Sequence, residues 1–239
     1  MATPIVTDGT TDRVVHSPRV LLPSGGGLFL SRADRFEQLA EGHPMGPYLR
    51  LMAEVSRVQA RIHDRRMARA PEASALQSSR DFGMPPLAAT SYRRDAQFLE
   101  DLRELLAEIG QSSKASPLAP VCSALAAQGD DALGEAADRV LAGTSNDSEA
   151  AAVPLLGAAL QVYFTRLAAT LDAKDLESVD VPTICPACAS RPVASLVRRD
   201  PERPSLRYLC CSLCHTQWNL ARITCSSCES DKSLQYFGL

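Results

Sequence analysis

The stretch TICPACASRPVASLVRRDPERPSLRYLCCSLCHTQWNLARITCSSCESD, residues 183–231, decides how the chain is read. It holds seven of the eight cysteines, six of them as C-x-x-C pairs: Cys185/Cys188, Cys211/Cys214 and Cys225/Cys228. Two residues between cysteines let one tight turn aim both sulfurs at one ion, while backbone N–H groups in the turn donate to the sulfurs. Two such knuckles facing each other complete a tetrahedral four-thiolate site. The spacing C-x2-C-x22-C-x2-C predicts one metal held by Cys185, Cys188, Cys211 and Cys214. The intervening residues read as a β-hairpin, out along PVASLV (192–197), around RRDPERPS and back along LRYLC (206–210), with Pro201 and Pro204 marking the turn. A rival grouping joins Cys211 and Cys214 to Cys225 and Cys228. The first grouping is favoured because it keeps each hairpin closed on itself, and Cys225 and Cys228 then form half of a second site. Four thiolates suit iron and zinc alike, so the ligands do not separate the two.

So short a stretch cannot build a conventional core, and the metal is expected to act as its staple. Structural zinc in small domains contributes on the order of 10–16 kcal/mol, in effect as folding energy. Residues 181–239 are therefore expected to unfold without metal while the preceding helices persist. Trp218, the sole tryptophan, is expected beside the site. Cys210 is expected on the opposite strand face from Cys211. His215 directly follows Cys214 and is read as a non-ligand, since four thiolates are at hand. Cys122 reads as a buried apolar residue of a helix.

Upstream, the pattern is helical. Residues 1–30 carry Pro4, Pro18, Pro23 and Gly25–Gly27 without periodicity and read as a flexible arm. Ser31 is a candidate N-cap for the next helix. Helices are expected over about 45–68, from about 93 through the stripe Phe98, Leu102, Leu105, Leu106 and Ile109, and over 117–127, 130–141 and 150–171. Residues 70–90, with Pro71, Gly83, Pro85 and Pro86, read as a connection. The expected architecture is a mainly α N-terminal domain, residues 31–175, followed by a small β rubredoxin-like or zinc-ribbon metal module, residues 181–239. The whole is a multi-part α+β chain.

Bulk properties narrow the function. The 239 residues are 45% apolar and carry a formal net charge of -3. This balance argues against a general polyanion binder, although Arg191, Arg198, Arg199, Arg203, Arg207 and Arg222 cluster near the cysteines. The start, MATPIVTDGTTDRVVHS, lacks a basic stretch followed by an apolar core, so a cytoplasmic location is expected and disulfides are not. The apolar segment 150–171 contains Pro154, Gln161 and Arg166 and reads as a buried helix rather than a membrane span. His16, His43, His63 and His215 are scattered, and no phosphate loop or nucleophile motif is present. No catalytic residues are assigned, and the chain is read as a non-enzyme.

The order C-P-x-C (185–188), P-V-A-S (192–195), R-Y-L-x-C-x-L-C-x-T-x-W (207–218), R-x-x-C-x-x-C (222–228) and LQYF (234–237) resembles the FdhE family of formate dehydrogenase accessory proteins. RADRFEQLAEGHPMGPYLRLMAE (32–54) adds to the likeness. The resemblance implies a cytoplasmic bacterial maturation factor that contacts the catalytic subunit of a selenocysteine- and molybdenum-containing respiratory formate dehydrogenase. It implies two rubredoxin-like modules with iron. Cys185, Cys188, Cys211 and Cys214 match the first module, and Cys225 and Cys228 match half of the second. The family pattern continues into a fourth C-x-x-C, whereas this chain stops at Leu239. The second site is thus expected to be incomplete unless another chain supplies ligands, which leaves a homodimer open. Ala189 and His215 stand where such knuckles often use glycine, so positive φ or a weakened N–H to sulfur contact is expected there. Two other readings stand beside the maturation factor: a redox-active electron-transfer protein built on the four-thiolate centre, and a nucleic-acid-binding zinc ribbon.

Overall fold

The computed structural model describes residues 18–112, 118–176, 181–200 and 203–232. Seven helices run in order through the described residues: α1 (Gly27–Ala40), α2 (Gly46–Arg65), α3 (Ala73–Phe82), α4 (Ala96–Ser112), α5 (Leu118–Ala126), α6 (Asp130–Ala142) and α7 (Val153–Ala168). They surround α7, which buries residues on every side from Leu155 to Ala168. An all-round apolar surface suits a central helix. Among the described residues no helix is long and apolar enough to cross a membrane.

Polar residues of this central helix are answered from its neighbours. Arg166 is buried and ion-paired to the fully buried Asp101 of α4. Arg66 reaches the same carboxylate at 3.0 Å. An unpaired charge in this position would be strongly destabilising. The Tyr163 hydroxyl accepts from the Asp95 N–H, at the entry to α4, at 3.0 Å.

The cysteine segment folds into an antiparallel sheet of order β1-β4-β3-β2. Its strands are β1 (Val20–Leu21), β2 (Pro192–Asp200), β3 (Arg203–Cys211) and β4 (Gln217–Asn219). The hairpin is longer than expected, with pairing carried out to Asp200 and Arg203. Pro204 therefore falls within β3 rather than in the turn. The run LQYF lies outside the described residues.

Three expectations upstream are corrected. Residues 18–30 are not an arm: Val20 pairs with Trp218, and Tyr208 donates its hydroxyl to the Pro18 carbonyl at 2.7 Å. The first helix begins at Gly27, so Ser31 lies inside it rather than capping it. Glycines 25–27 masked both signals, because they break the periodicity that marks a strand or a helix start. The connection 70–90 contains α3, which buries Ser79 and stops at Gly83 with φ 62°. A helix with so little apolar face has no sequence stripe to reveal it.

Candidate metal centre

Each of the first two C-x-x-C pairs sits in the same tight turn. In the first, the Cys185 N–H donates to Ser190 O and the Ala189 N–H to Cys185 O, both at 2.9 Å. In the second, the Cys211 N–H donates to Thr216 O at 2.9 Å, and the Leu213 and Cys214 N–H groups reach Cys211 Sγ at 3.3 and 3.4 Å. The turn closes through a left-handed residue after the second cysteine, Ala189 at φ 64° and His215 at φ 59°. The expected positive φ is present at both positions. The N–H to sulfur contacts of the second knuckle are retained.

The two knuckles face each other. Cys185 Sγ lies 3.5 Å from Cys214 Sγ, and Cys188 Sγ lies 3.4 Å from Cys211 Sγ. All four sulfurs fall within 4.8 Å of one another and all four residues are buried. A tetrahedron of metal–sulfur bonds about 2.3 Å long has edges of about 3.8 Å, so the spacing suits an S4 ion and no disulfide joins the cysteines. Burial, reinforced by neighbouring sulfurs, pushes the Cys185 and Cys214 thiols well up. Cys188 is also desolvated, but hydrogen bonds from Cys185, Cys211 and Cys214 outweigh this and draw it well down. Four dry sulfurs in contact cannot all ionise without a cation among them, which is the behaviour of a metal donor set. Four buried cysteines this close can hold a metal ion.

The helical part grips this cluster from several directions. The Leu87 N–H donates to Ala187 O at 2.9 Å and the Ala89 N–H to Cys188 O at 3.0 Å, so the connection after α3 pairs with the first knuckle. Gln161 of α7 donates to Ser212 O in the second knuckle at 2.9 Å. His215 turns away from the sulfurs. Its Nδ1 meets Thr165 Oγ1 at 2.9 Å, its Nε2 meets Arg32 at 3.3 Å, and its ring packs edge-on to Phe29. Arg32 can only donate, so Nε2 is the acceptor and Nδ1 carries the proton. Burial first, then the Arg32 charge, press the imidazole pKa down to about 3. Trp218 is buried and donates to Pro182 O at 2.8 Å, beside the first knuckle.

Of these supports, only Trp218 was expected beside the site from the sequence. Leu87 and Ala89 sit in a proline-rich connection, and Arg32 looks like one more surface arginine. Of the others, Gln161 alone left a trace, as a polar residue inside an otherwise apolar helix.

The third pair repeats the turn, and among the described residues no second knuckle faces it. The Cys225 N–H donates to Ser230 O at 2.9 Å, the Glu229 N–H to Cys225 O at 3.1 Å, and Glu229 has φ 60°. Backbone N–H groups of Cys228 and Ser227 draw the Cys225 thiol below its ordinary value. Cys225 is half-buried and Cys228 exposed. Among the described residues no third histidine, cysteine or carboxylate joins them.

The chain matches the family description "FdhE, N-terminal" over residues 17–180 and "FdhE, central domain" over residues 184–222. It belongs to the FdhE family. A protein FdhE homolog of Pseudomonas aeruginosa is 37% identical over 241 aligned positions, covering 100% of this chain and 77% of the relative. One from Pseudomonas putida is 36% identical, covering 98% of this chain and 74% of its own length. Protein FdhE of Salmonella paratyphi A is 30% identical, with 93% and 72% covered. The crystal structure of the FdhE protein from Pseudomonas aeruginosa superposes with a TM-score of 0.79 at 38% identity, over 93% of this chain and 76% of that one. The FdhE family boundary between N-terminal and central regions falls where the helices give way to the first knuckle.

Proposed function

We propose that this FdhE-family chain is a cytoplasmic maturation factor for a respiratory formate dehydrogenase, binding its catalytic subunit through a metal-stabilised adaptor. The observation that carries the reading is the convergence of Cys185, Cys188, Cys211 and Cys214 into one buried S4 cluster, held by a family-typical helical domain. These four are the proposed ligands of one iron or zinc ion. The ion would supply a cross-link that fastens the two knuckles together. The residues of this chain then hold the cluster in place: Gln161 and the Leu87–Ala89 backbone brace the knuckles, while Trp218 and β1 close the sheet over them. Cys225 and Cys228 are proposed as a preformed half-site that takes its remaining ligands from elsewhere. On this reading the chain acts by binding rather than by catalysis.

The test is co-purification of the full chain with the formate dehydrogenase catalytic subunit, repeated with Cys185→Ala. Retention of the subunit by the wild-type chain, lost with Cys185→Ala, is the expected result. Equal retention of unrelated proteins would remove the dedicated partner. Metal analysis of protein purified without air separates iron from zinc. The same measurement decides the electron-transfer reading, since a dry four-thiolate iron centre is coloured when oxidised and a zinc centre is not.

A further inference from the structure

On the opposite side of β3 from the sulfur cluster lies a cavity of about 440 Å³. Successive residues of a strand face opposite ways, so Cys211 joins the cluster while Cys210 lines the cavity. Its lining includes the apolar side chains of Leu21, Leu22 and Leu28. Arg32, Arg198 and the Cys210 thiol line it as well, and among the described residues no carboxylate does.

Both guanidinium groups lack a counter-charge among the described residues. Arg32 is largely buried, yet its partners are all neutral: Ser56 Oγ at 3.3 Å, Gln59 Oε1 at 2.6 Å, Gln161 Oε1 at 3.2 Å and His215 Nε2 at 3.3 Å. These bonds occupy Nε, Nη2 and one N–H of Nη1, and leave the second Nη1 N–H over. Burial lowers the Arg32 pKa only to about 10, so it remains a cation. Arg198, which is exposed, donates through Nε to Gln217 Oε1 at 3.0 Å, and among the described residues its two terminal nitrogens have no partner. A buried cation with no anion beside it is costly, and a cavity with apolar lining residues and a few convergent polar groups has the make-up of a small-ligand site.

We propose that this cavity binds a monocarboxylate carrying a short apolar chain. The carboxylate lies between the terminal nitrogens of Arg198 and the spare Nη1 N–H of Arg32, and the chain lies against Leu21, Leu22 and Leu28. A planar carboxylate matches the guanidinium fork in two parallel bonds, and the leucines exclude a fully hydrated anion. This site is separate from the metal centre and does not depend on the formate dehydrogenase reading.

The experiment is calorimetric titration of the full metal-loaded chain with butyrate, with inorganic phosphate and butylamine as comparators. It is paired with site-resolved mass spectrometry of Cys210 alkylation. Butyrate is expected to bind saturably in the millimolar range, about tenfold more weakly to Arg198→Gln, and to slow Cys210 alkylation with the same concentration dependence. The exposed Cys228 is expected to react at an unchanged rate and serves as the internal control. Arg198 lies on the exposed edge strand, so the variant is expected to melt like the wild type. Absence of saturation, equal affinity in Arg198→Gln or an unprotected Cys210 would overturn the site. Phosphate binding as tightly as butyrate would overturn the apolar half of the proposal. Equal binding of butylamine would overturn the anionic half.

Discussion

Gln161 Nε2, on the central helix α7, donates to the carbonyl of Ser212 inside the second knuckle at 2.9 Å. The same side chain accepts through Oε1 from Gln59 at 3.1 Å and from Arg32 at 3.2 Å. One amide therefore ties three helices to the turn that carries Cys211 and Cys214. Gln161→Leu removes those bonds and leaves Ser212 O without its donor, a loss of about 1–3 kcal/mol. Chemical denaturation of the metal-loaded protein checks the stability. Metal release to a chromogenic chelator, expected to quicken, checks the link to the knuckle. Release at the wild-type rate would show that the bond braces the helices alone.

Removal of the metal is expected to loosen more than the cysteine segment. The first knuckle accepts from the Leu87 and Ala89 amides, and β1 pairs with β4. Hydrogen exchange after chelation should accelerate at Val20, Leu87, Ala89 and β2–β4 together. The α4 and α7 amides should keep their protection. Acceleration confined to residues 181–232 would count against this coupling.

Ala189 and His215 occupy equivalent left-handed positions, but glycine should act differently at each. Ala189→Gly relieves a conformation that disfavours any Cβ and is expected to stabilise by about 1 kcal/mol. His215→Gly gains the same relief yet loses the contacts to Thr165, Arg32 and Phe29. The expected result is a net destabilisation. Thermal melts of the two variants under one metal load should move in opposite directions.

Asp101 is fully buried between Arg166 and Arg66. Asp101→Ala strands the Arg166 guanidinium in the core and is expected to cost about 3–5 kcal/mol. Asp101→Leu paired with Arg166→Met replaces the buried pair by apolar volume and should recover much of the loss. A double-mutant cycle in urea reads both, and a double variant no better than Asp101→Ala would refute the pairing.

Acid acts through Glu104. The hydrogen bond from Arg66, helped by one from Arg65, holds its carboxyl below the usual range against the opposing effect of burial. The unfolded chain therefore takes up this proton at a higher pH than the folded chain. The contribution is whole above the ordinary glutamate value and is lost as pH falls through the depressed one. Glu104→Gln should flatten that part of the stability profile below about pH 4.5, its ordinary value. An unchanged acid limb would remove Glu104 as its source.

The cysteine spacing was enough to predict that Cys185, Cys188, Cys211 and Cys214 converge and that a hairpin joins their two pairs. The reason is local: a C-x-x-C turn builds its own hydrogen bonds, so Cys185, Cys211 and Cys225 adopt one shape wherever the chain takes them. Amphipathic spacing likewise placed α2 and α4, since burial of one face imprints a period on the sequence, and an unbroken apolar run placed α7. The α3 helix and β1 left no such imprint. The first has little buried face, and the second is two residues long behind a glycine run.

What tertiary structure alone decided is how the parts meet. Sequence could place Arg32 on a helix, but not against His215, 183 residues away, or beside Cys210 in one cavity. It could mark Gln161 as polar in an apolar helix, but not show that Ser212 O was its acceptor. Local turns and periodicities are written in neighbouring residues. Partners brought together by packing are not, because any buried donor needs some acceptor and the fold alone determines which one is within reach.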